Sequence, residues 1–381
     1  MSYLEYRVRS VPRGFRKILH LNWALILLLI AVASIGIIML YSVGGSFSQW
    51  AEPQLKRFLV TFVMMLMIAM VPIWFWRNMS AIAYLFALTL IVLVGFIGST
   101  GMGAQRWIDL GFIKLQPSEI MKVAIVMALA AYYDVLPPSK ISRPIWVLLP
   151  LLIIALPTLL VLRQPDLGTS LLILITGGTV MFLAGVHWAY FTSVLSAGVG
   201  VVFAVFQTRG TEWQLLKDYQ YRRIDTFLDP STDPLGAGYH ITQSKIALGS
   251  GGLSGRGFKM GSQSQLNFLP EKHTDFIFTT LAEEFGFVGG ISLLAIYMLI
   301  LLFCLIAALE AQDRFSKLLI SGIAMTFFLF FAVNMSMVMG LMPVVGVPLP
   351  LVSWGGSAML VLMAGFGLIQ SAYVHRPRTT K

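Results

Sequence analysis

The run LNWALILLLIAVASIGIIMLYSVG, residues 21–44, decides the class of fold because none of its residues is charged. A helix needs about 20 mostly apolar residues to cross a bilayer, so this run predicts a membrane-spanning helix. It is too long for a signal peptide, and no clear small-residue cleavage site follows it. Nine later runs are also mostly apolar, the fourth of the ten being the least so. The ten predicted spans are 21–44, 58–76, 80–98, 117–134, 144–162, 169–186, 188–207, 275–309, 317–340 and 355–375.

The composition of the whole chain supports this prediction. Of its 381 residues, 57% are apolar and 12% are charged, whereas a soluble domain has about 25% charged residues. The mean hydropathy is +0.81. These values exclude a soluble multidomain enzyme, a disordered chain and a secreted disulfide-rich scaffold. The single cysteine, Cys304, has no partner within the chain for a disulfide. The predicted fold is an all-α integral membrane protein, a single polytopic membrane domain over residues 1–381.

The distribution of Lys and Arg residues predicts the orientation in the membrane. With a cytoplasmic N-terminus, 13 of the 27 Lys and Arg residues face the cytoplasm and five lie in short outer loops. Short cytoplasmic loops carry the excess of positive charge. Both termini, including a basic tail at 1–20, are therefore predicted to be cytoplasmic. A long extracytoplasmic loop, 208–274, would then join the seventh and eighth spans. Linkers at 77–79 and 185–187 would make neighbouring spans antiparallel.

A first group of polar residues near the predicted outer surface lies in GMGAQRWIDLGFIKLQPSEIMK, residues 101–122. A charge deep in a spanning helix costs at least about 2.5–3.5 kcal/mol, so such residues pair or line a wet cavity. Glu119 and Lys122 are three apart and share one helix face. One interpretation is a structural ion pair with an interfacial Trp107. The other is a cationic and aromatic shelf that also uses Arg106, suited to a phosphorylated, sugar-bearing lipid.

A second group lies in the short outer turn RQPDLGTS, residues 163–170. Asp166 or Thr169 is expected to cap the N-terminus of the next helix, which would account for Asp166. Capping does not account for Arg163. This cation is expected to contact either a diphosphate or Asp166.

A third group belongs to the long loop, which contributes Lys245 and Arg256 as further cations. Its segment GSGGLSGRGFKMG, 249–261, is flexible or tightly turning, and it is not a phosphate-binding P-loop because no Gly-Lys-Ser/Thr follows. Asp275 marks the junction with the eighth span. It is either a general base at the mouth of a groove or, with Thr274, a simple helix cap.

Residues of the eighth span extend this third group. A helix beginning near Thr274 would align Thr279, Ala282, Gly286 and Gly289 as a small-residue stripe suited to close helix packing. Glu283 and Glu284 lie about two turns deeper. They are expected to be structural carboxylates or to line a wet cavity.

A fourth group is NMSMVMGLMPVVGVPLPLVSWGGS, residues 334–357. Pro343, Pro348, Pro350 and Gly346 prevent a continuous helix. Non-helical backbone at membrane depth survives only where it packs against protein or lines a cavity. A re-entrant turn at 341–354 is therefore expected to form the floor of a site, in preference to an ordinary hairpin.

Together these motifs resemble the SEDS family (shape, elongation, division and sporulation) over nearly the whole chain. The markers are RWIDLG followed by QPSE at 106–119, QPDLGTS at 164–170, PEKHTDF at 270–276 with EEFG at 283–286, and P-x-x-G-x-P-L-P-x-x-S-x-G-G-S at 343–357. The short N-terminal tail and the total length are closer to the elongation branch of the family than to the division branch.

The resemblance implies an activity, a substrate and partners. SEDS proteins polymerise lipid II, a disaccharide-pentapeptide on undecaprenyl diphosphate, into β-1,4-linked glycan outside the bacterial cytoplasmic membrane. The family's catalytic aspartate matches Asp275, and its other functional positions match Trp107, Glu119, Lys122 and Asp166. A class B penicillin-binding protein and other membrane proteins of the elongation complex are the implied partners, and no nucleic acid is involved.

In the implied mechanism Asp275 is a general base and the reaction inverts the donor sugar. The candidate cations for the departing diphosphate are Arg106, Lys122, Arg163, Lys245 and Arg256. No cofactor is certain; a divalent cation could assist at the diphosphate, although the sequence shows no protein cage for one. Two alternatives are a lipid II flippase and a non-catalytic scaffold. A flippase needs polar residues through to the inner side, whereas in this chain they gather in the outer half.

Overall fold

The computed structural model describes residues 9–10, 14, 16–101, 104–109, 111, 114–216, 218–229, 231, 233, 236–266, 268, 271–376 and 378–379. Most of the predicted basic tail at 1–20 and Pro270 of the PEKHTDF motif lie outside these residues. The helices are α1 (Arg16–Leu19), α2 (Trp23–Gly44), α3 (Ala51–Met70), α4 (Ile73–Ile97), α5 (Pro117–Val135), α6 (Pro144–Arg163), α7 (Leu167–Ala184), α8 (Trp188–Gln207), α9 (Asp218–Leu228), α10 (Ala237–Ser250), α11 (Ser262–Gln265), α12 (Ile277–Glu310), α13 (Arg314–Val338) and α14 (Gly356–Val374).

Ten of these helices form the bundle, which confirms the all-α membrane fold. Over the described ranges nine are long and apolar enough to cross a membrane: α2, α3, α4, α6, α7, α8, α12, α13 and α14. The tenth, α5, has 19 residues but includes Glu119, Lys122 and Asp134, which lower its hydropathy. Despite these charges α5 lies inside the bundle, packed against α4, α7 and α13. Two of its charged residues, Glu119 and Lys122, are therefore buried within the bundle.

The ten helices alternate in direction, so both chain termini lie at one end of the bundle, which we call the terminal end. Strand β1 (Arg9–Ser10) pairs with β5 (Arg378–Thr379) at this end. The opposite end, which we call the loop end, contains the residues between α8 and α12. It also contains a small sheet of β2 (Ser99–Gly101), β3 (Ala104–Asp109) and β4 (Lys114–Leu115).

Two predicted spans have wrong boundaries. The spans at 58–76 and 80–98 are helices Ala51–Met70 and Ile73–Ile97, and the predicted linker at 77–79 lies inside α4. The turn falls at Val71 and Pro72, which are both extended. Proline has no N–H to continue a helix, and it disfavours helical backbone at the residue before it. The linker at 185–187 is correct, because Gly185 ends α7 with a left-handed φ of 98°.

Helix α12 is broken near its N-terminus, which overturns the predicted small-residue stripe. Gly286 has φ 65° and ψ −162°, outside the helical region. The loop 251–257 fills the break with backbone hydrogen bonds, as Arg256 N and Gly257 N donate to Glu283 O and Glu284 O. In return, Phe287 N and Val288 N donate to carbonyls of the same loop. Broken helix is stable at membrane depth because protein satisfies its polar backbone.

The backbones of loop 251–257 and α12 approach so closely that both segments need glycine at the contact. A Cβ at Gly251, Gly255 or Gly286 would overlap backbone atoms of the opposite segment. Glu283 and Glu284 lie just before the break and are almost completely buried. Ser42 Oγ donates to Glu284, while Gln263 N donates to Glu283 Oε1 at 3.0 Å. The glycine-rich stretch thus forms part of the bundle wall.

Candidate functional site

Asp275 lies in a tight turn at the loop end, two residues before α12 begins at Ile277. Thr274 N and Phe276 N donate to Glu271 O at 3.2 and 3.3 Å, which closes the turn. The helix cap is Phe276 and no side chain caps the helix, while Thr274 Oγ1 bonds to Glu271 instead. The alternative that Asp275 or Thr274 merely caps the helix is therefore wrong.

The non-helical segment 341–354 fixes the backbone of this turn. Ser353 Oγ donates to Thr274 O at 2.6 Å, and Trp354 N donates to His273 O at 2.9 Å. The buried amide of Asn334, on α13, donates from Nδ2 to Asp275 O at 2.8 Å and to Val347 O at 2.7 Å. The position of Asp275 is thus set by two distant parts of the chain.

The carboxylate of Asp275 faces Gly346, which has φ 71°. A Cβ built on Gly346 would lie 3.7 Å from Asp275 Oδ2. Within the described part of the chain the Asp275 carboxylate forms no hydrogen bond or salt bridge. Burial, and second the charge of Glu271, raise the pKa of Asp275 to about 6. An unpaired carboxylate with this pKa is a suitable general base near neutral pH.

Asp166 lies at the centre of a second polar cluster. It caps α7, accepting from Thr169 N at 3.1 Å, as predicted. Gln116 Nε2 also donates to Asp166 Oδ2 at 3.0 Å. Arg106 lies 3.9 Å from the same oxygen and donates to the carbonyls of Gln164, at 3.0 Å, and Pro165. The cation beside Asp166 is thus Arg106. Arg163, the other cation predicted to contact Asp166, is exposed and pairs with no described residue.

Glu119 and Lys122 form the predicted ion pair inside the bundle. Lys122 Nζ lies 2.7 Å from Glu119 Oε1, and Lys122 and Glu119 are only 1% and 4% exposed. Lys122 Nζ also lies 3.9 Å from the centre of the Phe330 ring. Glu119 Oε2 has no partner among the described residues. The pair therefore holds α5 against α13 as a nearly neutral unit.

The chain at 345–346 lies between the two polar clusters. Val345 O packs so closely on Gly168 of α7 that a Cβ there would lie 2.6 Å away. The next residue, Gly346, faces Asp275. The Asp166 and Asp275 clusters thus lie on two sides of one stretch of backbone.

The remaining predicted site residues lie apart from this arrangement or have few contacts. Trp107 is in β3, where its carbonyl accepts from Ser99 Oγ at 3.3 Å. Lys245 is exposed on α10, with the end of its side chain (Cε and Nζ) against Gly340. Arg256 belongs to the loop that fills the α12 break, and its guanidinium donates to Ser262 Oγ at 2.9 Å. No described contact joins Lys245 or Arg256 to Asp275.

Sequence reasoning missed two contributors. Asn334 received no role of its own from the fourth motif, although a lone amide in an apolar helix signals a buried polar role. The predicted spans leave the first turns of α3 in a loop, yet Gln54 Nε2 donates to Ser353 O at 3.1 Å. As for metals, no group of three or more His, Cys, Asp or Glu residues suited to an ion occurs among the described residues.

Related sequences match this chain over nearly its full length. The family model described as "Cell cycle protein" (FtsW, RodA and SpoVE) matches residues 17–378. The chain is 43% identical to the peptidoglycan glycosyltransferase MrdB of Escherichia coli K12, covering 95% of this chain and 96% of that protein. It is 38% identical to MrdB of Helicobacter pylori J99, covering 75% of this chain and 73% of that protein.

Solved structures agree with the sequence matches. One chain of a peptidoglycan synthase complex, described as coordinating polymerization and crosslinking, superimposes with a TM-score of 0.78 at 29% identity, covering 93% of this chain and 97% of that one. The rod shape determining protein RodA of Thermus thermophilus gives 0.70 at 27% identity, with coverage of 93% and 97%. With its motifs, its bundle and these matches, the chain belongs to the FtsW, RodA and SpoVE family, the SEDS family.

Proposed function

We propose that this protein is a peptidoglycan glycosyltransferase that polymerises lipid II into β-1,4-linked glycan during cell elongation. The observation that carries the proposal is the unpaired, partly buried Asp275 carboxylate, held at the loop end by Asn334 and Ser353. The names of the relatives and the resemblance to the elongation branch support the same activity.

In the proposed reaction Asp275 accepts the proton from the 4-hydroxyl of the acceptor N-acetylglucosamine. The oxygen attacks the anomeric carbon of the donor N-acetylmuramic acid and forms the new glycosidic bond. The bond to undecaprenyl diphosphate breaks, its electron pair leaves with the diphosphate, and the anomeric centre inverts. General-base assistance of this kind contributes about 10²–10⁴-fold.

Two apolar grooves beside α12 support the use of two lipid-linked substrates. One, of about 500 Å³, lies between α2 and α12 and is lined by residues such as Ile35, Met39 and Leu281. The other, of about 590 Å³, lies between α10, α12 and α13, with Phe278 and Met335 in its lining. Both follow the first turns of α12. A polymerase whose donor and acceptor each carry an isoprenoid chain needs room for two such chains.

The other predicted site residues stay predictions. Arg106 and Lys122 each lie beside a carboxylate. These contacts support a structural role, in which Arg106 stabilises the Asp166 cluster and Lys122 stabilises α5. Substrate contacts by Trp107, Arg163, Lys245 and Arg256 are among these predictions. A divalent cation at the diphosphate also stays a prediction, since a metal bound mainly by the diphosphate needs no protein cage.

The proposal includes a membrane and a partner. The protein would lie in the bacterial cytoplasmic membrane with both termini inside, as the charge distribution predicts, so that Asp275 faces outward. A class B penicillin-binding protein is the proposed partner for cross-linking. A relative that is part of a peptidoglycan synthase complex supports an assembly of this kind.

The test is glycan synthesis by purified protein supplied with lipid II, with and without the penicillin-binding partner. Polymer resolved on a gel is the expected product. A flippase would instead move lipid II across proteoliposomes without forming polymer, and a scaffold would do neither. Absence of polymer in the presence of the partner would contradict the proposal.

The pH dependence of polymerisation follows from the raised pKa of Asp275. A general base must be ionised, so activity is expected to fall as pH drops through about 6 and to be nearly full above about 7. Initial rates between about pH 5 and 8 measure this acid limb. A rate that stays flat over the whole range would indicate that a more acidic group limits the reaction.

A further inference from the structure

The departing diphosphate in the proposed reaction carries negative charge that nearby cations must stabilise. The two most obvious candidates are already neutralised within the protein. Lys122 is paired with Glu119, and Arg106 is bonded to two carbonyls and lies beside Asp166. The Glu119–Lys122 pair is buried and therefore costly to separate, while Arg106 is held by its two carbonyl acceptors. A cation that is not already paired within the protein is better placed to bind a diphosphate.

Arg57, in the second turn of α3, has the required properties. It is partly buried, and its Cζ lies 4.0 Å from the centre of the Trp354 ring. Its Nε would lie 3.5 Å from a Cβ built on Gly356. Across the described residues its guanidinium forms no hydrogen bond and no ion pair. A planar cation held on an aromatic face keeps its N–H groups available for a phosphate.

Arg57 belongs to a cluster built against the Asp275 turn. Trp50, Gln54 and Arg57 are spaced four and three apart, so they share one face of the start of α3. Trp50 stacks on His273 at 4.4 Å and meets Trp354 edge-on at 4.9 Å. Trp354 N in turn donates to His273 O, two residues before Asp275. The cluster and the carboxylate are therefore parts of one rigid support.

We propose that Arg57, on its Trp354 face, binds the diphosphate of a polyprenyl diphosphate substrate beside Asp275. Arg57 meets phosphate oxygens with two parallel N–H groups. The assignment rests on the proposed glycosyltransfer, in which this diphosphate is the leaving group. It replaces Arg106 and Lys122 as the main cation at that position.

The test measures equilibrium binding of radiolabelled undecaprenyl diphosphate to the purified full-length protein in nonionic detergent. Hydrogen bonds to charged groups contribute about 1.5–3 kcal/mol, so Arg57→Gln is expected to weaken binding at least about tenfold. The matched control is Lys56→Gln, which removes one positive charge at the neighbouring residue. Lys56 is exposed and paired with Glu52, so binding should change by no more than about twofold.

A competing phospholipid and a second variant show whether the loss is specific to the diphosphate and to the guanidinium. Phosphatidylglycerol presents a phosphate headgroup and should displace the probe far more weakly than unlabelled undecaprenyl diphosphate. If Arg57→Gln does not fold, as judged by its melting temperature, Arg57→Lys decides, because lysine keeps the charge but loses the planar fork. Arg57→Lys should weaken binding at least about threefold. Unchanged binding by the folded variant, or equal displacement by phosphatidylglycerol, overturns the subsite.

This experiment separates the subsite from the proposed function. If Arg57→Gln loses the probe but the wild-type protein forms no glycan, the subsite stands and the polymerase proposal fails. If Asp275 is required for polymer while Arg57→Gln keeps both probe binding and turnover, the polymerase proposal stands and the subsite is wrong.

Discussion

Replacement of Asp275 by Asn is expected to reduce glycan polymerisation by about 10²–10⁴-fold, the usual contribution of a general base. The amide has nearly the same size but cannot accept the proton of the attacking hydroxyl. The backbone bonds from Asn334 and Ser353 remain, so the turn is expected to keep its shape. Polymer formed from lipid II by equal amounts of purified protein measures the effect.

The melting temperature separates lost chemistry from lost folding. The folded-state pKa of Asp275 lies above its usual value, so the contribution of this residue to the stability of the folded state is complete below pH about 4. That contribution is lost as pH rises through about 6, and the buried charge costs stability near neutral pH. Asp275→Asn should therefore melt at or above the wild-type temperature at neutral pH. Asp225→Asn is the matched control, at a partly exposed carboxylate of the long loop that pairs with Arg209. Full turnover by folded Asp275→Asn would remove Asp275 as the base.

Removing one member of the buried Glu119–Lys122 pair should lower the free energy of unfolding more than removing one member of a surface ion pair. Lys122→Met leaves the Glu119 carboxylate buried without its cation, which typically costs about 4 kcal/mol. Unfolding by SDS in mixed micelles provides the measurement. Lys122 Nζ also contacts the Phe330 ring, so the packing of α13 should loosen as well.

The double variant Glu119→Gln with Lys122→Met is the control for this prediction. Because it leaves no uncompensated charge, it should recover most of the lost free energy of unfolding. Arg77, which pairs with Asp134 nearer the surface, offers a comparison: Arg77→Met should cost no more than about 1 kcal/mol. If Lys122→Met is as stable as Arg77→Met, then Glu119 and Lys122 do not act as a buried pair.

The sequence predicted the helices well because hydropathy is a local property. Eight of the ten predicted spans lie close to the observed helices, and the two exceptions correspond to α3 and α4. The two misplaced spans share one turn, and the error has a physical source. The predicted linker at 77–79 begins with the charged Arg77, whereas Pro72 is the residue that cannot continue a helix. A charged residue can lie inside a helix where it finds a partner, as Arg77 does in Asp134.

For the site, contacts between residues close in sequence were predictable and distant ones were not. The spacing of Glu119 and Lys122, and the cap by Asp166, follow from helix geometry. The bond from Asn334 to Asp275 joins residues 59 apart. Neither hydropathy nor spacing indicates which distant segments will meet. Arg57 was not predicted for the same reason, because its proposed role depends on its packing against the ring of the distant Trp354.

The contact between loop 251–257 and the broken α12 depends on steric fit and not on side-chain chemistry. Its hydrogen bonds come from main-chain amides and carbonyls, which every residue except proline supplies in full. Specificity lies in the missing side chains of Gly251, Gly255 and Gly286. A single added methyl group at one of these glycines would push the loop away from α12. The short segment of α12 before Gly286, and Asp275 next to it, would then shift relative to the longer segment that follows.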